Sequence, residues 1–305
     1  MHPWGCGSVA VIIPAYNGQR YIEETLQSVL NQTLQPREIV VVDDGSTDNT
    51  VSIVRRFAPR VALVTRQRTG VSAARNYGAS ITDAEWLTFL DQDDLWEPKN
   101  LERQMAAIAA SPEAGACYAD RRILANQPDG SFRYESPRWP TPTPEELGAT
   151  LLERCPFTPC SVLVHRDAFL SIGGFDGRHN GVEDWDFWLR LHSAGVRFTW
   201  CPEVLVAYRV HESNATRHAL RILAQSLAVV EQNIRPRMTR WQRFTKLRSL
   251  RSRLYADASL LMRESKTPGS FTLMLRSIAR HPWRDRRRYR IAAHMLVTRI
   301  RRLRL

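Results

Sequence analysis

Residues 38–50 read EIVVVDDGSTDNT. Glu38 to Val42 is a short apolar, β-branched run, the pattern of a strand buried on both faces. Asp43-Asp44-Gly45 stops it, and Ser46-Thr47-Asp48 offers side chains suited to cap a helix through Val51, Val54 and Ala58. Gly45 permits a tight turn. A carboxylate exposed just past a strand can accept from a base N3–H or a ribose hydroxyl. A plain strand–turn–helix junction accounts well for Ser46, Thr47 and Asp48, and less well for two acids before the glycine.

The same alternation extends outward. Upstream, Val9 to Ile13 is a buried strand ended by Pro14; Asn17-Gly18 breaks the chain, and Ile22, Leu26, Val29 and Leu30 follow at helical spacing. Downstream come a strand at Val61–Thr65, a small-residue helix over 71–81 (VSAARNYGASI), and a strand at Glu85–Leu90 ending in Asp91-Gln92-Asp93-Asp94. A further helix starts at Pro98, with Leu101, Met105 and Ile108 on one face. Apolar strands alternating with helices predict an α/β fold, a mainly parallel sheet covered on both faces. Ligands of such sheets bind at the carboxyl ends of the strands, where Tyr16, Asp44 and Asp91 all fall.

After residue 112 the pattern changes. Residues 136–144 (SPRWPTPTP) read as a Pro-rich loop, 158–165 as a strand, and Asp167–Ile172 as a short helix ended by Gly173-Gly174. Residues 183–194 (EDWDFWLRLHSA) read as a helix, and Val204-Leu205-Val206 as strand-like before Tyr208-Arg209-Val210-His211. From about residue 217 the chain is helical and arginine-rich, so the predicted division is 1–215 and 216–305.

The chain of 305 residues is 43% hydrophobic and 24% charged, which excludes disordered and collagen-like proteins. No apolar run reaches the roughly 18–20 residues of a membrane span. Cys6, Cys117, Cys155, Cys160 and Cys201 are odd in number and scattered, so no disulfide framework is expected. Cys155, Cys160, Cys201 and His165 match no common zinc spacing and read as core or loop side chains. MHPWGCGSVA lacks the basic start and long apolar stretch of a signal peptide, so a cytoplasmic setting is expected. Charge is uneven: residues 1–234 hold 22 Lys+Arg against 28 Asp+Glu, and residues 235–305 hold 21 against 3. An acidic body with a basic tail of net +18 points to a polyanionic partner, nucleic acid or an anionic membrane.

Asp91-Gln92-Asp93-Asp94 carries the most chemical information. Two carboxylates spaced Asp-x-Asp can divide duties around a hard cation. The same acids equally suit a turn before a helix N-terminus. Glu183-Asp184 also reads as ordinary acidic decoration of a helix start.

Taken together, VAVIIPAYNG (9–18), EIVVVDDGSTDNT (38–50), GVSAARNYGAS (70–80), WLTFLDQDDLWEP (86–98) and GVEDWDFWLRL (181–191) resemble the family-2 inverting glycosyltransferases, in order and over roughly residues 8–215. The resemblance implies a GT-A, Rossmann-like sheet followed here by a helical basic extension. It implies a nucleotide-diphosphate sugar donor, usually uridine-linked, a divalent cation (Mn²⁺ or Mg²⁺), and a glycan or lipid-linked acceptor in surface polysaccharide or glycolipid assembly. Residue by residue, Pro14, Ala15 and Tyr16 match the first nucleotide-pocket segment, and Asp44 the carboxylate that contacts the base. Arg75 matches a basic residue near the nucleotide. Asp91 and Gln92 match the donor side of the DxD segment, and Asp93 its direct metal ligand. Asp184 matches the catalytic base, which the helix dipole is expected to keep ionised. His211 matches a late histidine at the metal or diphosphate, although a buried structural histidine suits it too.

Trp185, Phe187 and Trp188 cannot all face one way on a helix, and core positions are expected for them. In the tail, Trp241, Phe244, Leu247, Leu250 and Leu254 form one helical stripe, expected to pack inward. A second helix over 283–304 carries Arg284, Arg286, Arg287, Arg288 and Arg290, then Ile291, Met295, Leu296 and Ile300. It suits packing and an anionic membrane surface equally, which would make the protein peripheral on the inner face of the plasma membrane. No nucleic acid is expected, since no helix-turn-helix, zinc finger or RNP-like motif accompanies the charge. A non-catalytic sugar-nucleotide-binding module is the remaining alternative.

Overall fold

Val9–Ala15 (β1) is buried at every position and is one of the central strands of the sheet. Its apolar run satisfies its backbone on both sides, pairing in parallel with Glu38–Asp43 (β2) and Trp86–Phe89 (β4). Ala62–Thr65 (β3) adds in parallel outside β2. Ile22–Leu30 (α1), Thr50–Arg55 (α2) and Val71–Ser80 (α3) link these strands. The small residues of α3 have a packing reason: a Cβ at Gly78 would sit 2.4 Å from Ile12 Cγ2.

The computed structural model describes residues 7–126, 132–137, 140–211, 218–264, 268–282 and 287–303. Cys6, part of the Pro-rich segment (Arg138, Trp139), the 215/216 boundary, and Arg284 and Arg286 lie outside these. The chain divides into two compact units, Met1–His211 and Glu212–Leu305.

In the first unit the sheet has nine strands in the order β3-β2-β1-β4-β8-β6-β9-β5, with β7 on β6. The remaining strands are Leu95–Trp96 (β5), Ala114–Asn126 (β6), Phe132–Glu135 (β7), Val162–His165 (β8) and Arg197–Val210 (β9). The sheet is mixed: β8 runs antiparallel to β4 and to β6, while β6 and β9 are parallel. The helices of this half are Asn100–Ala110 (α4), Pro144–Leu151 (α5), Arg166–Ser171 (α6) and Glu183–Ser193 (α7).

Two long strands escape the sequence patterns. β6 carries Asp120-Arg121-Arg122 mid-strand and β9 carries Pro202-Glu203. Their pairing jumps from Ala119↔Cys201 to Asp120↔Val204, so Pro202 and Glu203 are left out of the ladder. A bulge breaks the two-residue alternation by which a strand is recognised, and it accommodates a proline without a lost hydrogen bond. The helix expected after Asp43-Asp44-Gly45 also starts later, at Thr50. Ser46 and Thr47 bind the neighbouring loop instead of capping it, and Asp48 receives the Thr50 amide.

Trp185, Phe187 and Trp188 are all buried. Trp185 donates its indole N–H to Leu151 O at 2.8 Å, and Phe187 stacks on Phe175 with centroids 4.4 Å apart. Cys117, Cys160 and Cys201 are buried free thiols.

The second unit contains Ala219–Val229 (α8), Arg240–Gln242 (α9), Arg248–Glu264 (α10), Ser270–Arg280 (α11) and Arg287–Leu303 (α12). One apolar cluster joins Ala219 and Leu223 to Ala258, Met262 and Leu273; another joins Ala256 and Met274 to Ala292 and Met295. Arg288 is buried between helices, donating to Ser252 Oγ at 2.6 Å and to Ser277 O at 3.0 Å. Met295 therefore packs inward as part of this unit, whereas Leu296 faces outward.

Candidate active site

The carboxyl ends of β1, β2 and β4 carry the loops that build the site. Tyr16 N donates to Gln92 Oε1 at 2.9 Å, and Gln92 Nε2 donates back to Tyr16 O at 3.0 Å, clamping the first loop to the DQDD segment. A Cβ at Gly18 would lie 2.2 Å from Gln92 Oε1, so a larger residue there would displace this amide. Gly18 N donates to Thr50 Oγ1 and Asn17 N to Ser46 Oγ, stitching the first loop to the second. Pro14 and Ala15 are buried in β1, and Ala15 O accepts from Asp44 N at 2.7 Å.

Asp44 is buried at the end of β2. Its two oxygens accept from Thr69 N at 2.8 Å and Gly70 N at 2.7 Å. The acid thus fixes the loop entering α3. On the same loop, the Arg68 guanidinium lies 3.9 Å from the Tyr16 ring centroid.

The four residues of DQDD have four separate partners. Asp91 Oδ1 accepts from Arg75 Nη2 at 2.6 Å. Gln92 holds Tyr16. Asp93 Oδ2 lies 2.7 Å from His211 Nε2, at the end of β9. Asp94 is fully buried and accepts from Arg209 N at 2.9 Å. Burial, with Asp93 and Asp91 nearby, holds Asp94 well above the usual aspartate range. Arg209 also donates through Nε to Asp93 O at 2.7 Å and through Nη2 to Glu24 at 2.6 Å. Sequence reasoning missed Arg209; its position two residues before His211 was the available signal.

Arg75 is 3% exposed and connects the DQDD segment to α7. Besides Asp91 it donates through Nη1 to Glu183 Oε1 at 2.9 Å. Burial opposes its charge, but Asp91 and Glu183 outweigh that and hold the guanidinium pKa above its ordinary value. Asp91 is raised by burial, against the lowering pull of Arg75 and with a further push from Asp93. Glu183 was legible only as decoration of a helix start, yet it anchors Arg75 and accepts from Gly181 N.

Asp184 stands next to this ion pair at the start of α7 and accepts from Trp185 N at 2.7 Å. The helix dipole was expected to keep it ionised. Burial first, then the adjacent Glu183 carboxylate, oppose that and lift its pKa to about 7, against the lowering pull of the Trp185 amide and Arg75. A carboxylate poised near neutrality suits a general base.

The donor set at Asp93 and His211 fits a divalent cation. One carboxylate oxygen and one imidazole nitrogen already converge, both being ligands that Mn²⁺ accepts. Asp91 is turned toward Arg75 instead. Among the described residues, donor atoms of three metal-type side chains come within 4.8 Å of one another only at Asp176, His179 and Asp186. There Asp176 is paired with Arg178 and Asp186 with Arg190, while His179 Nε2 is 3.8 Å from Asp186. Two guanidinium partners make that cluster a lock on the turn before α7.

The profile of glycosyl transferase family 2 matches residues 10–173. An uncharacterized glycosyltransferase of Rickettsia typhi is 31% identical over 222 residues, covering 71% of this chain and 68% of that protein. The hyaluronan synthase of Pasteurella multocida is 27% identical over 230 residues, 74% of this chain but 23% of that protein. A relative from Rickettsia felis is likewise matched over 36% of its length. In fold, the crystal structure of S. aureus TarS 1-349 in complex with UDP superposes with a TM-score of 0.56 at 17% identity, covering 90% of this chain and 89% of that one. A mixed α/β sheet flanked by helices, with helices at the C-terminus, is therefore the shared architecture.

Proposed function

The chain belongs to glycosyl transferase family 2, and on that premise we propose that it moves a sugar from a nucleoside diphosphate donor, UDP-linked, to a hydroxyl of a glycan or lipid-linked acceptor, with inversion at the anomeric carbon. The observation that carries the proposal is the tie running from Asp91 through Arg75 to Glu183, with Asp184 beside it. It ties Asp91, which this reading assigns to the donor, through α3 to the start of α7, where Asp184 stands. TarS has also been crystallised with UDP-GlcNAc, which supports uridine as the base.

In the proposed reaction the acceptor oxygen attacks the anomeric carbon opposite the leaving diphosphate. The sugar–phosphate C–O bond breaks, the new C–O bond forms, and the hydroxyl proton passes to the Asp184 carboxylate. Asp93 and His211 would hold the cation, Mn²⁺ or Mg²⁺, which when bound offsets the negative charge of the diphosphate. Asp44 orders the Thr69–Gly70 loop beside Tyr16, Pro14 and Ala15 where the base is received. Gln92 keeps that loop registered on DQDD, and Arg75 holds Asp91 away from free solvent reorganisation. Surface polysaccharide or glycolipid assembly on the cytoplasmic face of an anionic membrane is the setting this reading assigns.

The test is incubation of the purified protein with UDP-sugars, Mn²⁺ and a panel of glycan and lipid-linked acceptors, with the product's anomeric configuration read by NMR. An inverted linkage is expected, lost in Asp184→Asn. A retained configuration, or unchanged turnover in that variant, refutes the mechanism.

A further inference from the structure

Residues 240–264 form one continuous helical run: α9, a π-helical turn over Arg243–Leu247, then α10. The spacing of its apolar residues predicts a single inward stripe, and the structure divides it. Leu247 and Leu250 are buried, while Trp241 and Phe244 remain 72% and 62% exposed. The wider π-turn rotates the preceding residues out of register with α10, which explains the split. A capping box between Thr239 and Gln242 fixes the helix start, so the aromatic pair sits on an ordered turn with ring centroids 6.4 Å apart.

Cations surround this pair. Arg237, Arg240, Arg243, Lys246 and Arg248 are all exposed. Among the described residues none of the five forms an ion pair with a carboxylate. The nearby Glu231 is already held by Arg235 and Arg251. Arg248 also lies over the Phe244 ring, 5.7 Å from its centroid. An exposed indole and phenyl ring amid five exposed cations that pair with no carboxylate among the described residues match the anionic interface of a bilayer on both counts. A duplex nucleic acid, its bases stacked inside, would use the cations and leave both rings in water.

We propose that the turn Thr239–Arg248 is a membrane anchor, with Trp241 and Phe244 entering the headgroup zone and the surrounding basic residues meeting anionic lipid. The assignment deepens the membrane setting above and rests on it for biological sense, although the binding itself requires no sugar transfer.

The experiment is co-sedimentation of the full chain with extruded vesicles, either pure phosphatidylcholine or with about a third phosphatidylglycerol. Binding to the anionic vesicles is expected, weakened at high salt. It should fall at least about tenfold in Trp241→Ala/Phe244→Ala, and about fivefold for each of Arg240→Gln and Arg243→Gln. Circular dichroism confirms that these surface variants fold. Quenching of fluorescence by brominated lipid should decrease in Trp241→Phe. Wild-type affinity in the aromatic double variant, no preference for anionic vesicles, or binding to duplex DNA without binding to vesicles overturns the proposal. Transfer to a water-soluble acceptor without vesicle binding refutes the anchor alone. Vesicle binding without transfer to any acceptor refutes the catalytic reading alone.

Discussion

Replacing Arg75 by methionine tests the tie that holds the site together. The guanidinium is buried and donates at 2.6 Å to Asp91 and at 2.9 Å to Glu183, whose side chains are 27% and 9% exposed. Methionine fills similar volume but leaves both carboxylates without their cation. Removing one partner from a buried pair costs about 3–5 kcal/mol, because the remaining charge is stranded. For a unit of this size the loss corresponds to a fall in Tm of roughly 6–20 °C. The pH dependence has a definite sign. Burial and Asp93 already raise the Asp91 pKa, and losing Arg75 raises it further. A carboxyl with a raised folded-state pKa destabilises only when ionisation is demanded, so the deficit is small near pH 4–5 and grows as pH rises toward the folded value. Thermal unfolding of wild type and Arg75→Met at pH 5 and pH 8 measures this directly. Arg75→Lys, which keeps the charge but cannot bridge both acids, should fall between them. A deficit under about 1 kcal/mol, or one that does not change with pH, would remove Arg75 from the role of a buried strut.

The base makes its own pH prediction. With Asp184 near 7, kcat/KM should rise about tenfold per pH unit below neutrality and level off above it; a flat profile from pH 5.5 to 8.5 argues for another base. Asp93→Ala should abolish the extra thermal stabilisation that Mn²⁺ adds to donor binding, about 2.7 kcal/mol at one hundred times Kd, and an unchanged Mn²⁺ effect would exclude Asp93 as a ligand. Gly78→Ala forces a Cβ to within 2.4 Å of Ile12. It should destabilise by about 1–3 kcal/mol in chemical denaturation while leaving donor affinity intact, and a neutral outcome would contradict the tight seating of α3 on β1.

Much of the first half of the fold was legible in the sequence, because each strand there is a short apolar run stopped by polar residues. β1, β2 and β4 lie where Val9–Ile13, Glu38–Val42 and Glu85–Leu90 indicated, and Tyr16, Asp44 and Asp91 lie just past their ends. β6 and β9 were not legible as wholes. Their charged residues and the Pro202-Glu203 bulge erase the alternation, and long-range pairing between the two strands defines them instead. In the tail, the period of Trp241, Phe244, Leu247 and Leu250 described a straight helix, and a π-turn changed which of these face water.

By itself the sequence determined which acids stand at strand ends and helix starts, since local periodicity and turn chemistry set those positions. Only the tertiary structure decided what each acid does. Arg75 finds Asp91 16 residues away and Glu183 108 away, and Asp93 finds His211 at a separation of 118. Asp184 has its pKa raised to about 7, above what its helix position suggests, because burial and the neighbouring charge of Glu183 outweigh the amide that favours its anion. Desolvation and charge pairing depend on neighbours in space, and the folded chain alone supplies them.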